Sequence, residues 1–120
     1  MSRQNLNTPI KSLENLELAG ITFIRDYIQF LFDGPILNTY TLPQVRADNK
    51  EFSFTQYGYY DTLCSLIGKC VHLAYEEKEN RIVIQFKNNM ELIISLKMED
   101  RQCAEAVMLQ IEHKGVWEVW

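Results

Sequence analysis

Residues able to do chemistry are few in this 120-residue chain, and their spacing keeps most of them apart. Histidine is the usual general base and metal ligand near neutral pH, and the chain has only His72 and His113. Neither has a carboxylate or cysteine neighbour at the spacing of a metal site or a catalytic dyad. Cys64, Cys70 and Cys103 form an odd set with no CxxC pair. That pattern fits neither a disulfide scaffold nor a zinc ribbon, so all three are expected to be reduced structural thiols. Cys64 and Cys70, among apolar neighbours, are read as small buried hydrophobes. Ser65 and Ser95 lack a GxSxG elbow, and the five glycines never cluster into GxGxxG or a P-loop. The carboxylate pairs Glu76-Glu77 and Glu99-Asp100 fall in polar segments expected to turn. Water there keeps both groups ionised, whereas acid–base pairs need environments that push their pKa values apart. The expectation is a non-enzymatic chain with no metal and no cofactor.

What remains is chemistry of recognition. Tyr57-Gly58-Tyr59-Tyr60-Asp61, preceded by Phe52 and Phe54, stands at the entry of an expected helix. Tyrosine is enriched at interfaces because its ring contributes apolar area while its hydroxyl finds a polar partner. Tyr57, Tyr59, Tyr60 and Asp61 are therefore candidate partner-binding residues; the competing reading packs the rings between helix and sheet. Glu76, Glu77 and Glu79 make an acidic tip suited to lysines or arginines of a partner, against a plain solvated turn.

These residues must be positioned by short elements. Met1 to Asn7 reads as a frayed end, giving a single domain over 1–120 with 1–8 loose. Thr8-Pro9 offers a cap and first-turn proline for a helix carrying Leu13 and Leu16, stopping at Gly20. Ile28, Phe30 and Phe32 alternate as a strand, Asp33-Gly34-Pro35 turns, and Ile36 to Leu42 returns as its hairpin partner before Pro43. Residues 44–56 lack a sustained period and read as a loop. Tyr59 to Ile67 is the stronger helix, with Leu63, Leu66 and Ile67 as its stripe and Gly68 at its C-terminal cap.

A meander follows, the clearest pattern in the chain. Residues 70–75, 81–87 and 91–97 alternate at period two, separated by a charged turn at 76–80 and by Asn88-Asn89, which suits a tight turn. Residues 98–103 form a charged link, Val107, Leu109 and Ile111 another strand, and His113-Lys114-Gly115 a turn. Val116 to Trp120 pairs back, which ties the terminal tryptophans into the sheet. The tripeptide Ile28-Gln29-Phe30 recurs 56 positions later as Ile84-Gln85-Phe86. The class expected is α+β: a mainly antiparallel sheet of seven or eight strands with two short helices, arranged as two pseudo-repeated helix-plus-three-strand units.

Bulk properties narrow the function. Hydrophobic residues make up 47% of the chain and charged residues 23%, enough to build a core. No apolar run approaches the roughly 20 residues that span a bilayer, and Met1 to Lys11 is polar, so a cytoplasmic location without membrane contact is expected. The net charge is −4, with acids in excess over residues 70–120. That excess argues against nucleic acid, which demands a basic footprint, and suits a basic protein partner.

The segments Arg25-Asp26-Tyr27-Ile28-Gln29-Phe30, Asp61-Thr62-Leu63-Cys64-Ser65-Leu66-Ile67-Gly68, Ser95-Leu96 with Glu99-Asp100, Glu105-Ala106-Val107 and Trp117-Glu118-Val119-Trp120 together resemble small bacterial proteins of unassigned function. In general character the chain is similar to immunity proteins of contact-dependent growth inhibition and related polymorphic-toxin systems. That resemblance implies a small acidic inhibitor that occludes the active site of a cognate toxin domain, such as a nuclease. It transfers no contact residue. The alternative is a homo-oligomeric structural or regulatory protein, a sheet-based homodimer for example. A small-ligand sensor and an enzyme with an unrecognised site rank below both.

Overall fold

In the computed structural model, which describes residues 9–111 and 116–120, strands dominate. The first sheet has the order β1 (Leu18–Ile24), β2 (Tyr27–Phe32), β3 (Ile36–Thr39), β9 (Val107–Ile111), β10 (Val116–Val119). The second has the order β5 (Lys50–Phe52), β4 (Gln44–Ala47), β8 (Glu91–Ser95), β7 (Arg81–Phe86), β6 (Val71–Glu77). Every pairing is antiparallel. Among the described residues one α-helix, α1 (Tyr59–Cys64), precedes β6, and a 3-10 turn, Pro9–Leu13, precedes β1.

In place of one sheet of seven or eight strands, the described residues form two sheets of five, and the expected three-strand units are replaced by units of five. Each unit is a helical turn followed by five strands; the first three stay in one sheet and the last two cross to join the other. The units meet where β1 and β6 begin. Glu17 and Cys70 form an antiparallel bridge, with the Leu18 N–H donating to Lys69 O and the Val71 N–H to Leu16 O, each at 2.9 Å. Register also corrects the tripeptide match. Tyr27 opposes Ile24 where Arg81 opposes Glu77, so Tyr27 corresponds to Arg81 and Ile28 to Ile82. Ile84 therefore corresponds to Phe30, and the two Ile-Gln-Phe copies are out of phase by one pleat.

Other elements differ from expectation for local reasons. Residues 44–56 contain the β4–β5 hairpin, whose turn places Asp48 (φ 51°) and Asn49 (φ 65°) in the left-handed region that Asp and Asn tolerate. These strands of four and three residues are too short to display a period. The first helix is only a 3-10 turn, and Gly20 lies inside β1 beside a bulge. β3 stops at Thr39, α1 ends at Cys64 followed by turns, and the charged link contains a 3-10 turn at Met98–Asp100. A bulge between Val71 and Leu73 shifts the face of β6, so Val71 and Ala74 are buried while Leu73 and Tyr75 turn outward. In the Asn88-Asn89 turn only Asn89 has a positive φ, and the turn before β7 is residues 78–80 with Glu79 at φ 63°. The expected frayed end, the Thr8 cap and the His113-Lys114-Gly115 turn lie outside the described residues.

Both sheets close on one core. Ile28, Phe30, Leu37, Val107 and Leu109 come from the first; Ile82, Ile84, Phe86, Leu92 and Ile94 from the second. Ile10 and Leu13 of the 3-10 turn, with Tyr59, Leu63 and Leu66 around α1, complete it. Full burial of such side chains contributes about 1.5–3 kcal/mol each, before the opposing chain entropy. The Pro9–Leu13 turn covers edge strand β6, and Glu14 just beyond it accepts the Ala74 N–H through Oε2 (3.0 Å). That bond satisfies an edge donor that no neighbouring strand can reach.

Candidate functional site

The tyrosine segment divides by helical geometry. Tyr59 is fully buried, and its hydroxyl donates to Pro43 O at 2.6 Å, anchoring α1 to the chain that enters β4. Burial pushes this phenol well above its ordinary pKa, with Tyr60 adding to the effect, so it stays a donor. Tyr59 therefore serves the core and is out of a partner's reach. Tyr57, Tyr60 and Asp61 are exposed. The Tyr60 ring packs edge-on against Phe23 at 5.4 Å and 76°. Phe23 points toward the core side of the first sheet but overhangs its edge, leaving it 44% exposed.

The acidic tip is largely committed within the fold. Glu76 accepts the Trp120 indole N–H (2.9 Å), tying the described C-terminal residue to the second sheet. Glu77 is held by Arg81 (3.0 Å) and by the Asn80 amide (2.9 Å), and the Arg81 bond holds its carboxyl below the usual range. Of the three glutamates, Glu79 is exposed at the turn. Tyr57, Tyr60 and Asp61 group around the start of α1; Glu76, Glu77 and Glu79 belong to the far end of β6.

A larger surface emerges from register, which no linear pattern displayed. Partners across antiparallel strands share a face. On the outer side of the first sheet this groups Thr22, Ile24, Tyr27, Gln29, Leu31, Ile36, Asn38, Met108, Gln110 and Val119. None is charged. Tyr40 joins them, its ring tilted on that of Tyr27 at 5.1 Å, and burial raises the pKa of its hydroxyl. Ile24 is opposite Tyr27 and adjacent to Phe23, so the face continues around the β1–β2 edge to Tyr60. At its centre, Asn38 is 7% exposed and its Oδ1 has no hydrogen-bond partner.

The same construction on the second sheet gives a different surface. Glu77, Arg81, Gln85, Glu91, Arg46 and Glu51 lie on its outer side with Tyr75, Val83 and Ile93. Arg46 bridges Glu91 at 2.9 Å and Glu51 at 3.4 Å. The two halves share topology but not surface chemistry.

The remaining reactive groups are scattered. His72 is exposed, and His113 lies outside the described residues. All three cysteines are free; Cys64 and Cys103 are exposed and Cys70 partly so. Cys64 thus departs from the buried role expected of it, as does Ile67, because α1 buries Tyr59 and Leu63 and the turn after it buries Leu66. Among the described residues no group of His, Cys, Asp and Glu is placed to hold a metal, and no helix is long and apolar enough to cross a membrane. A cleft of about 420 Å³ opens on the second sheet, and among the described residues neither His72 nor any cysteine is part of its lining. No protein-family model, curated protein or solved structure matches the chain.

Proposed function

We propose that this chain is a non-enzymatic protein-binding module, specifically an immunity protein that seats on a bacterial toxin domain and occludes its active site. The observation supporting binding is the uncharged outer face of the first sheet, continuing through Ile24 and Phe23 to Tyr60. Interface centres are depleted of charge and enriched in aromatic residues and methionine, and this face has both properties. Its sister face, of identical topology, carries ion pairs instead. The chain's net charge of −4 favours encounter with a basic toxin domain. The contact is then made by apolar and aromatic groups, since Glu76 and Glu77 are engaged within the fold.

The test is neutralisation. A toxin domain from the same genetic locus is expressed alone and together with this chain, and the complex is measured by calorimetry. The expected outcome is rescue of growth, with Met108→Lys or Tyr27→Glu weakening the complex by about 100-fold, as for hot-spot residues near an interface centre. Rescue that is indifferent to both substitutions refutes this surface. A second reading, a homodimer through the same face, is favoured by the absence of charge among the described residues of that face, which limits like-charge repulsion between copies. Twice the chain mass in solution, abolished by Met108→Lys with no toxin neutralised, selects it.

A further inference from the structure

The geometry points to a second site, independent of the first-sheet surface: the cleft of about 420 Å³ on the second sheet binds a small organic carboxylate with an apolar body. Its size falls in the range of small-molecule sites. Ile93, Leu42 and Phe54 are in its lining, a bed for an apolar group. Arg81 and Lys97 also line it and supply the positive charge. Arg81 gives Nη2 to Glu77 at 3.0 Å and its buried Nε has no partner, while Lys97 has no ion pair among the described residues. The one acid in the lining, Asp100, accepts the Ser95 hydroxyl at 2.6 Å, so part of its charge is already engaged.

Two further observations mark the cleft as built. Thr41, in its lining and only 5% exposed, has a hydroxyl without a hydrogen-bond partner. Two of the three such atoms among the described residues thus belong to residues lining this cleft, and a native fold rarely leaves such groups unmatched. Its walls are also held by their own bonds. Arg101 donates to Leu96 O and Ala104 O (2.8 and 2.7 Å), bracing the 96–104 wall, and the Ser53 N–H donates to Gln56 Oε1 (2.6 Å), closing the turn that carries Phe54. Such preorganisation lowers the entropy lost on binding.

The related half of the molecule supplies the contrast. Where the cleft has Arg81, Ser95 and Gln44, the first sheet has Tyr27, Tyr40 and Met108, and there the two tyrosine rings pack together. Residue choice, not topology, makes the cleft in one half.

The experiment titrates the 15N-labelled full chain with 4-methylpentanoate and, separately, with 4-methylpentanamide, its neutral isostere. The expected result is saturable movement of the Gln44, Ile93, Ser95 and Lys97 amide signals by the carboxylate, with Kd on the order of 1 mM for so small a probe. The amide should bind about tenfold more weakly, because it lacks the charge that Lys97 and Arg81 meet. Lys97→Gln and Arg81→Gln should each weaken carboxylate binding several-fold. Lys97 is exposed, so its variant tests the site even if loss of the Arg81–Glu77 bridge destabilises the other. Equal binding of the two probes, non-saturating shifts, or an unchanged Lys97→Gln affinity would overturn the site. None of those results bears on the toxin-binding surface.

Discussion

Replacing Tyr59 with phenylalanine isolates the most buried polar contact that α1 makes. The change keeps the ring, which is fully buried, and deletes a hydroxyl that donates to Pro43 O at 2.6 Å. It leaves the Pro43 carbonyl without that donor where water has little access, so the loss exceeds the net value of an average hydrogen bond. We expect a cost of about 2 kcal/mol. With an unfolding entropy of roughly 2.1 cal/mol/K per residue, that cost lowers Tm by about 8 °C for a 120-residue chain. The alkaline limb makes the test sharper. Burial raises the folded pKa of Tyr59 above its unfolded value, so its contribution is complete below about pH 10 and is lost as pH rises toward the folded pKa. Tyr40 and Tyr75 are also raised by burial, but both variants carry them, and their effects cancel in the difference. Urea denaturation from pH 7 to 11.5 should therefore show a wild-type advantage of about 2 kcal/mol that narrows above pH 10. A variant within about 0.5 kcal/mol at pH 7, or a gap that ignores pH, refutes the assignment of Tyr59 as a buried donor.

Three further outcomes follow from the same structure. Gly58 precedes α1 at φ 90°, with its Cβ position 3.5 Å from the Phe52 ring, so Gly58→Ala should destabilise by about 1–2 kcal/mol through backbone strain alone, read by thermal denaturation. Glu14→Ala should cost about 1 kcal/mol at pH 7 by stripping the acceptor from the Ala74 N–H. Desolvation raises the Glu14 pKa, but the Ala74 N–H and Lys11 outweigh it and hold the group low. Its contribution is therefore present above its unfolded pKa of about 4.5, and the acid limb of an equilibrium titration should flatten in the variant. Asn38→Val, which removes an unpartnered buried amide oxygen from a central strand, should raise stability by about 1 kcal/mol in chemical denaturation.

What could be read from the chain was whatever depends on near neighbours. The meander of β6, β7 and β8 is legible because alternation over strands of five to seven residues favours one arrangement that buries Ile82, Ile84 and Phe86 together. The helix at Tyr59, the turns at Gly34 and Asn89 and the antiparallel class follow from similarly local rules. Of the candidate residues, the exposed Tyr60 and the buried Tyr59 were not separable, because adjacent tyrosines look alike until the helix has a sheet to face. Tertiary structure decided the rest. A hairpin of four- and three-residue strands has too little pattern to announce itself, and it forms because the opposite sheet offers β8 as a neighbour. The single-residue bulge after Val71 reverses which side chains of β6 look outward, a change that no periodicity foretells. The crossing of β4–β5 and β9–β10 between sheets fixes which strands are neighbours. Only then do residues as distant as Ile24, Asn38 and Met108 come onto one uncharged face, and Thr41, Arg81 and Lys97 into the lining of one cleft. Composition sets how much charge a chain carries; pairing across the sheets decides which face goes without it.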